Sequence, residues 1–588
     1  MSDVVPLLRF VRPYLRYALL ALACLIVLVA LDLAIPRLIQ RIIDRGIARG
    51  DQGLVLETAL EMLGISVAST VIAIANNILS VRVGEGVARD LREALFAQIQ
   101  RFAFGDLDRH KTAELLVRLT SDVIAFKGLI QISLRIGTRA PLMIAGSLAL
   151  MVITSPRLAL MLSPLLLITA LLIGVFVLRG EPLFRAVQAK LDVLNGVLQE
   201  NIAGARVVKA FVRAQFEARR FERANEEMTQ RAIAVLQFSS AMMPALTLCI
   251  NLGIVVVVWL GGLASIHGDL SLGQVVAFTN YMLSTMGPLA MMSLLANMWA
   301  SGFASAARVR QVLATVPEVQ DATDASEPPA DAPARITLDE VSFAYRGTGR
   351  VLRDIVLDVQ PGQTVAILGA TGAGKSTLVQ LIPRFYDACQ GQVRYGGLDV
   401  RALTQRSLLE HIAIVPQQAL LFAGSVRDNI RYGKPDASDE EVVAAARVAQ
   451  ADEFIRRLEQ GYDSHVAPRG ANFSGGQKQR LCIARALLLD PDVLIFDDST
   501  SALDVQTEAK LQDALAERRV GRTTFVVAQR ISTVLNADCI VVLDQGHIVA
   551  RGTHAQLMCA SPVYREIYES QLGSGIVEAA RASEPALS

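Results

Sequence analysis

One string in the second half of the sequence has the residue types of a phosphate-binding loop. Residues 369–376 read Gly-Ala-Thr-Gly-Ala-Gly-Lys-Ser, follow an apolar run at 365–368 and precede a helix-favouring stretch from Thr377. Glycines let backbone N–H groups surround phosphate oxygens, and a helix N-terminus adds a favourable potential. Because strand, loop and helix stand in register, a chance Gly-rich turn explains the string poorly. The residues predicted to bind the nucleotide here are Gly369, Thr371, Gly372, Gly374, Lys375, Ser376 and Thr377.

Two acids farther along the chain complete a candidate magnesium site. Asp497 and Asp498 follow the apolar run 493–496, and a carboxylate at the end of a buried strand can hold Mg²⁺ or position water. We expect Lys375 to reach the outer phosphates and Ser376 to bind Mg²⁺, while the acid pair holds Mg²⁺ or positions water. The alternative for the acid pair, taken alone, is a solvated turn.

The composition places part of the chain in a membrane. Of 588 residues, 52% are hydrophobic and only 19% are charged, against about 25% charged in ordinary soluble domains. Lys plus Arg (57) nearly balances Asp plus Glu (56), which argues against a global basic field for nucleic acid. The 6 cysteines form no CxxC pair, which favours free thiols in a reducing compartment.

The apolar surplus lies before residue 305, in runs long enough to span a bilayer as helices, which takes about 20 residues. These runs lack the alternation of barrel strands, so helices are the expected spanning structure. We predict six spans, the third of them extended back towards Ile130, at 17–35, 54–79, 140–153, 159–178, 242–266 and 272–300.

The loops between the predicted spans alternate in size. Ser155-Pro156-Arg157 and a short stretch around Gly268 are brief, whereas 82–127 and 179–231 are long, charged and helically patterned. Their Arg and Lys content places both long loops and both chain ends in the cytoplasm by the positive-inside rule. One segment runs against this assignment, since it should lie outside yet is basic, with Arg37, Arg41, Arg45 and Arg49.

After a Pro-, Ala- and Asp-rich linker at 317–335, strands alternate with helices, which predicts a largely parallel sheet. The strands are predicted at 336–338, 364–368, 412–415, 493–496, 524–528 and 539–543.

A third string makes the resemblance to a known family specific. Residues 472–480, Asn-Phe-Ser-Gly-Gly-Gln-Lys-Gln-Arg, resemble the signature motif of ABC transporters, with Phe473 where leucine is usual. With the phosphate loop upstream and the acid-tipped strand downstream, nearly the whole chain is similar to a type IV exporter half-transporter. The resemblance implies that the signature contacts the γ-phosphate of ATP bound by a second subunit, through Ser474, Gly475, Gly476 and Gln477.

The resemblance assigns further roles. Tyr345 stands where the family stacks an aromatic ring on adenine, and Gln417 matches the glutamine that senses Mg²⁺ and contacts the membrane domain. Residues 501–504, ending in Asp504, match the loop that crosses the dimer interface. Two cytoplasmic stretches, 118–122 and 211–217, resemble the coupling segments that dock on the ATPase domains.

The implied fold has two parts and a tail. An all-α transmembrane domain of six spanning helices with long cytoplasmic helical extensions occupies 1–316. An α/β ABC-type P-loop ATPase domain follows the linker at 336–572, and 573–588 is expected to be a disordered tail. The cofactors implied are ATP and Mg²⁺, and the implied setting is the bacterial inner membrane.

The sequence departs from active family members next to the reacting water. The resemblance implies that Asp497 binds Mg²⁺ and that the next residue acts on the attacking water. At that next position Asp498 replaces the usual glutamate, and Gln529 replaces the usual histidine. Aspartate is one methylene shorter, and glutamine cannot become cationic or exchange a proton. A third departure is Ala467-Pro468-Arg469 in place of Gly-Glu-Arg. Since the signature is intact, the chain resembles the degenerate-site subunit of heterodimeric multidrug-type exporters, and a homodimer with two slow sites is the alternative.

The cargo is less constrained by the sequence. Methionines near the last two spans suit amphipathic drugs or lipids. Asp32 binds cationic cargo, transfers protons, pairs with Arg37 or lies at the membrane interface. An ATP-binding regulatory or channel-like subunit stays open because of Asp498 and Gln529, whereas a soluble ATPase of nucleic-acid maintenance is disfavoured by the spans.

Overall fold

The structure, a computed structural model, describes residues 5–329, 331–347, 349–518, 522–528 and 530–572. Gln529 and the tail 573–588 therefore lie outside the described residues. Two folding units are present. The first comprises the chain up to Gln100 together with Thr112–Thr315, and the second comprises Arg101–Lys111 together with the chain from Val316 onward.

The first unit is helical throughout, apart from its turns. A 3₁₀ segment at Val5–Tyr14 precedes the first long helix, and single π-helical turns at Ile42–Ile47, Arg118–Asp122 and Ser133–Gly137 interrupt the helical runs. The helices of this half of the chain are α1 (Leu15–Arg41), α2 (Gln52–Gln100), α3 (Phe104–Arg109), α4 (Thr112–Val117), α5 (Val123–Ile132), α6 (Arg139–Thr154), α7 (Pro156–Ala203), α8 (Ala205–Ala210), α9 (Ala214–Ser240), α10 (Met242–Ile266) and α11 (Leu272–Ala314).

Local sequence explains where the long helices begin. Ser155 caps α7 by accepting a hydrogen bond from the Leu158 N–H, and Pro156 takes the first helical position, where its missing N–H costs nothing. Ser271 and Gln274 form a reciprocal capping box at the start of α11. These caps make the two predicted short links tight reversals between long helices.

Among the described residues, five helical segments are both long enough and apolar enough to cross a membrane: Val5–Ile47, Gln52–Gln100, Thr112–Thr154, Pro156–Ala203 and Ala214–Ile266. The predicted sixth span lies on α11, which has 43 residues but is not among these five. The membrane-spanning helical character is thus confirmed, and the count of six stays a prediction.

The second unit is an α/β structure with two main sheets. Its strands are β1 (Ile336–Phe343), β2 (Leu352–Val359), β3 (Thr364–Gly369), β4 (Gln390–Tyr395), β5 (Leu398–Asp399), β6 (Ile412–Val415), β7 (Gly424–Ser425), β8 (His465–Val466), β9 (Val493–Asp497), β10 (Thr523–Val527), β11 (Cys539–Asp544) and β12 (His547–Gly552). Its helices are α12 (Lys375–Leu381), α13 (Gln405–His411), α14 (Val426–Arg431), α15 (Asp439–Val448), α16 (Asp452–Arg456), α17 (Gly475–Leu488), α18 (Val505–Arg518), α19 (His554–Ala560) and α20 (Pro562–Leu572).

The larger sheet has the strand order β12-β11-β3-β10-β9-β6. Strands β11, β3, β10, β9 and β6 pair in parallel, and β12 joins the edge antiparallel to β11. The predicted largely parallel sheet is therefore present. The smaller sheet, β2-β1-β4-β5, is antiparallel and was not predicted from the sequence as a separate layer.

The central strands are buried on both faces, which explains why they read as continuous apolar runs. Alternate residues point to opposite sides, so Ile495 packs with the antiparallel sheet while Leu494 and Phe496 pack with the helical layer. Every residue of β9 is buried, including the terminal Asp497. The sheet therefore presents a carboxylate at its carboxyl edge from a rigid and fully packed strand.

Candidate functional site

The phosphate loop joins β3 to α12 at this edge. Gly369 and Gly374 have φ of 150° and 100°, a region that favours glycine. A Cβ on Gly369 would lie 2.2 Å from the backbone oxygen of Leu543, and one on Gly374 would lie 2.8 Å from the side chain of Leu352. A Cβ on Gly372 would meet nothing within 4 Å, so that part of the loop faces open space. The loop thus forms an open cradle whose backbone conformation requires glycine at positions 369 and 374.

Lys375 lies in the first turn of α12 and folds back over the loop. Its Nζ donates hydrogen bonds to the carbonyl oxygens of Gly369 and Ala370, both at 2.9 Å. Burial lowers the pKa of Lys375 from its ordinary value, while the nearby carboxylates of Asp498 and Asp497 raise it in part. A phosphate group would supply the negative charge that these carbonyl groups only partly replace.

Ser376 and Asp497 form the pair expected to hold Mg²⁺. The Ser376 hydroxyl donates to Oδ1 of Asp497 at 2.7 Å, and Asp497 is only 3% exposed. Burial raises the pKa of Asp497, and the hydrogen bond from Ser376 partly offsets that rise. Within the described ranges, no group of three or more His, Cys, Asp or Glu side chains could hold a metal. One carboxylate and one hydroxyl suit Mg²⁺, which usually completes its shell with water and substrate phosphate oxygens.

Asp498 continues the strand end and lies beside Gln417. Nε2 of Gln417 donates to Oδ2 of Asp498 at 3.2 Å, and the Asp498 N–H donates to the carbonyl of Val527 at 3.1 Å. Asp498 has φ of 49°, an uncommon conformation for a non-glycine residue. Strained backbone of this kind is found where neighbouring structure fixes a functional group. The structure thus brings together Lys375, Ser376, Gln417, Asp497 and Asp498, which the sequence had separated by more than a hundred positions.

Tyr345 lies beside the same helix. Its hydroxyl forms a 3.0 Å hydrogen bond with Oγ1 of Thr377, and its ring meets Phe343 and Tyr386 edge-on, at centroid distances of 5.0 and 5.4 Å. Burial raises the pKa of Tyr345. The predicted adenine-stacking residue is therefore next to the phosphate loop, fixed by neighbouring aromatic rings.

The signature residues lie at the start of another helix. Ser474 caps α17, accepting from the Gln477 N–H at 3.3 Å, while Oε1 of Gln477 accepts from the Ser474 N–H at 2.9 Å. Ser474 and Gly475 are exposed, and Phe473 is buried against Phe454. Asp504 caps the next helix by accepting from the N–H and hydroxyl of Thr507 at 2.9 and 2.7 Å. The signature is thus a capped and solvent-facing helix start.

One helix of the second unit was not predicted from the sequence. The six-residue helix α3 belongs to this unit, although the chain on either side of it belongs to the first. Its Phe104 stacks on Phe385 with ring centroids 4.2 Å apart, and Tyr386 donates to Asp108 at 2.6 Å. Its only signal is the pair of aromatic residues, Phe102 and Phe104, in an otherwise polar stretch of a predicted cytoplasmic extension.

The two segments predicted to dock on ATPase domains lie in the first unit. Residues 118–122 form a π-helical turn in which buried Asp122 accepts from Arg118 and Arg308. Of residues 211–217, the first three connect α8 to α9 and the rest form the start of α9. Phe211 is 73% exposed, and Val212 is 86% exposed with φ of 53°. The docking role of both segments stays a prediction.

Comparison with known proteins identifies the family. Residues 18–289 match the family model of the ABC transporter transmembrane region, and residues 352–501 match a second family model, described as ABC transporter. An uncharacterised ABC transporter ATP-binding protein of Bacillus subtilis, YfiB, is 38% identical over 96% of this chain and 98% of its own length. The chain belongs to the ABC transporter family. It carries a transmembrane region and an ATP-binding domain on one polypeptide.

Other relatives of this ABC transporter refine the comparison. An ATP-dependent lipid A-core flippase of Syntrophus aciditrophicus is 32% identical over 96% of this chain and 94% of its own length. The solved structure of a bacterial Atm1-family ABC exporter with ATP bound has a TM-score of 0.79 and 26% identity, covering 97% of this chain and 99% of that one. The chain therefore has the Atm1-type exporter fold, and its ABC domain implies an ATPase coupled to transport.

Proposed function

We propose that this chain is one half of a heterodimeric exporter that uses ATP to move amphipathic or hydrophobic compounds, drugs or lipids, across the bacterial inner membrane. The ATPase domain and both chain ends face the cytoplasm. Its own phosphate loop contributes to a degenerate site that turns ATP over slowly, and its signature completes the competent site on the partner's ATP.

The observation that carries the degenerate site is the geometry of Asp498. This carboxylate is 7% exposed, belongs to the residue that follows the buried strand β9 with a strained backbone, and accepts a hydrogen bond from Gln417. A general base must come within hydrogen-bond reach of the proton it removes, and such catalysis contributes about 10²–10⁴-fold. Because aspartate is one methylene shorter than glutamate and its strand is fully packed, the carboxylate cannot advance to make up the difference.

The signature supports the second half of the proposal. The capping box of Ser474 and Gln477 pre-forms a helix start with free N–H groups at Gly475 and Gly476. Such a helix start is a ready anion site, and its exposure leaves it accessible to nucleotide on another subunit. The signature is therefore intact, whereas the side chain that would act on the attacking water, Asp498, is one methylene shorter than glutamate.

The similarity to lipid A-core flippases supports lipids among the cargo classes. The exposed apolar surface of the spanning helices, including Leu160, Leu171 and Trp259, is suited to lipid contact. This apolar surface suits both lipids and drugs, which share an apolar body and a polar end.

The test is ATP-dependent accumulation of a fluorescent amphipathic dye in inverted vesicles that contain this chain with its co-purified partner. The proposal predicts accumulation that stops when Lys375→Ala is introduced and when ATP is replaced by a non-hydrolysable analogue. ATP binding without any accumulation would contradict export and favour a regulatory or channel-like subunit. Equal accumulation by this chain without a partner would favour a homodimer with two slow sites.

A further inference from the structure

A cavity of about 540 Å³ lies within the first unit, among α1, α2, α6, α11 and the π-helical turn before α6. Its walls include polar groups from Asn77 and Ser284, two arginines, Arg135 and Arg139, and the thioethers of Met143 and Met291. A site with an apolar side and a few convergent polar groups is the usual form of a small-molecule site.

The two arginines differ in their charge partners. Arg139 donates to Oδ2 of Asp32 at 2.7 Å, which neutralises both groups. Asp32 therefore pairs with Arg139 across helices, where the sequence had suggested Arg37 as the partner. The guanidinium of Arg135 has no hydrogen bond or ion pair to any residue in the part of the chain that the structure describes. The cavity walls therefore carry one uncompensated positive charge.

An uncompensated guanidinium in a membrane-spanning segment is costly, so such a group usually serves a ligand or an ion path. Guanidinium donors match the oxygens of a carboxylate or phosphate, often through two parallel hydrogen bonds. The neighbouring Asn76 is committed to structure, since its Nδ2 donates to the carbonyl of Ala21 at 2.7 Å. Among the described residues of the lining, Arg135, Asn77 and Ser284 therefore remain as donors available to a ligand.

We propose that this cavity binds the negatively charged headgroup of an amphipathic substrate on Arg135, with Asn77 and Ser284 as secondary contacts. The apolar tail would lie along Met143 and Met291, whose flexible thioethers accept varied shapes. This inference rests on the proposed export of amphipathic compounds and adds that the favoured cargo is anionic. It excludes the cationic cargo that Asp32 alone would suggest, because the Asp32 charge is already paired.

The test measures binding to the full-length chain in detergent by fluorescence anisotropy. The probes are a fluorescent fatty acid, its neutral methyl ester, an alkyl phosphate and an alkyl amine with the same fluorophore. The unmodified chain should bind the acid at least about tenfold more tightly than the ester. Arg135→Gln should weaken binding of the acid about 10- to 100-fold, the loss expected for one charge-assisted hydrogen bond, and leave the ester unchanged. The ratio of acid to alkyl phosphate affinity then separates the two anionic headgroups.

Three further variants control the interpretation. Arg157→Gln removes an arginine that is 85% exposed at its side chain and lies outside the cavity, and it should change neither affinity. Arg135→Lys should keep part of the preference for the acid. Asp32→Asn should strengthen binding of the acid, because it frees Arg139. This expected gain of affinity in Asp32→Asn tests the inference even if Arg135→Gln does not fold.

Equal affinity for acid and ester, tighter binding of the amine, or a preference unchanged by Arg135→Gln would each overturn the inference. Failure of the proposed export is distinguishable from failure of this inference. Arg135-dependent binding of the acid without ATP-driven movement of it in vesicles would contradict export and leave the cavity assignment standing. ATP-driven movement of the acid at the same rate in Arg135→Gln would support export and contradict the cavity assignment.

Discussion

At the residue scale, the nucleotide site combines separate groups that each depend on burial. Lys375 and Asp497 are both displaced from their ordinary pKa values, in opposite directions, because burial disfavours the charged form of each. ATP and Mg²⁺ restore the opposite charges that these groups need. Ligand binding should therefore be sensitive to small changes at both positions.

Replacement of Lys375 by alanine should weaken ATP binding about 10- to 100-fold, because it removes a charge-assisted contact with the outer phosphates. Titration with a fluorescent ATP analogue measures the change. Lys434→Ala is the matched control, since Lys434 pairs with Glu441 at 2.6 Å on the surface, and it should bind normally. An unchanged affinity in Lys375→Ala would refute the assigned role.

The Mg²⁺ dependence of ATP binding should fall on acidification. A raised pKa means that Asp497 takes up a proton at a higher pH than an ordinary aspartate, and only the ionised carboxylate binds the metal. The ratio of ATP affinities with Mg²⁺ and with chelator should shrink between about pH 8 and about pH 5.5. In Asp497→Asn, the ratio of ATP affinities with Mg²⁺ and with chelator should be near one at both pH values. A wild-type ratio that is the same at both pH values would contradict the assignment.

The residues of the phosphate loop and the acid-tipped strand were predictable from the sequence because both are local motifs in a fixed structural context. Their partners were only partly predictable. The family resemblance assigned Gln417 to the site but did not predict its hydrogen bond to Asp498. The pairing of Asp32 with Arg139 was missed because the two residues lie on different helices, 107 positions apart. Sequence spacing gives no information on which of several arginines faces an acid.

At the element scale, strands that are buried on both faces were predicted well because their apolar runs are continuous. The antiparallel sheet was missed beyond its first strand, since β2 and β4 alternate buried and exposed residues and resemble surface segments. Helix α3 was missed because six residues are too few to show helical periodicity. Its place in the second unit depends on tertiary contacts with Phe385 and Tyr386.

Helix α3 should transmit changes between ATP binding and the membrane-spanning helices. Its stacked ring pair is worth about 0.5–1.5 kcal/mol beyond burial, so Phe104→Ala should lower dye accumulation per ATP hydrolysed several-fold while leaving ATP affinity unchanged. Phe96→Ala, which removes an exposed ring on α2, is the control and should have no effect. Unchanged accumulation per ATP in Phe104→Ala would show that this contact does not carry coupling.

At the scale of the whole molecule, composition and the alternation of strands and helices together indicated an apolar helical half and an α/β half. The partner could not be identified in this way, because an intact signature beside an altered catalytic acid indicates only that another subunit is needed. The exposed Phe211, Val212 and Phe216 offer apolar surface for such a contact.

The most direct test is steady-state ATP hydrolysis by this chain purified alone in detergent. We expect measurable ATP binding with negligible turnover, and no strong activation of the isolated chain by Asp498→Glu combined with Gln529→His. Addition of the partner should then restore turnover. Turnover of the isolated chain comparable to that of ordinary exporters, or its strong activation by the two substitutions, would show a homodimer and contradict the heterodimeric account.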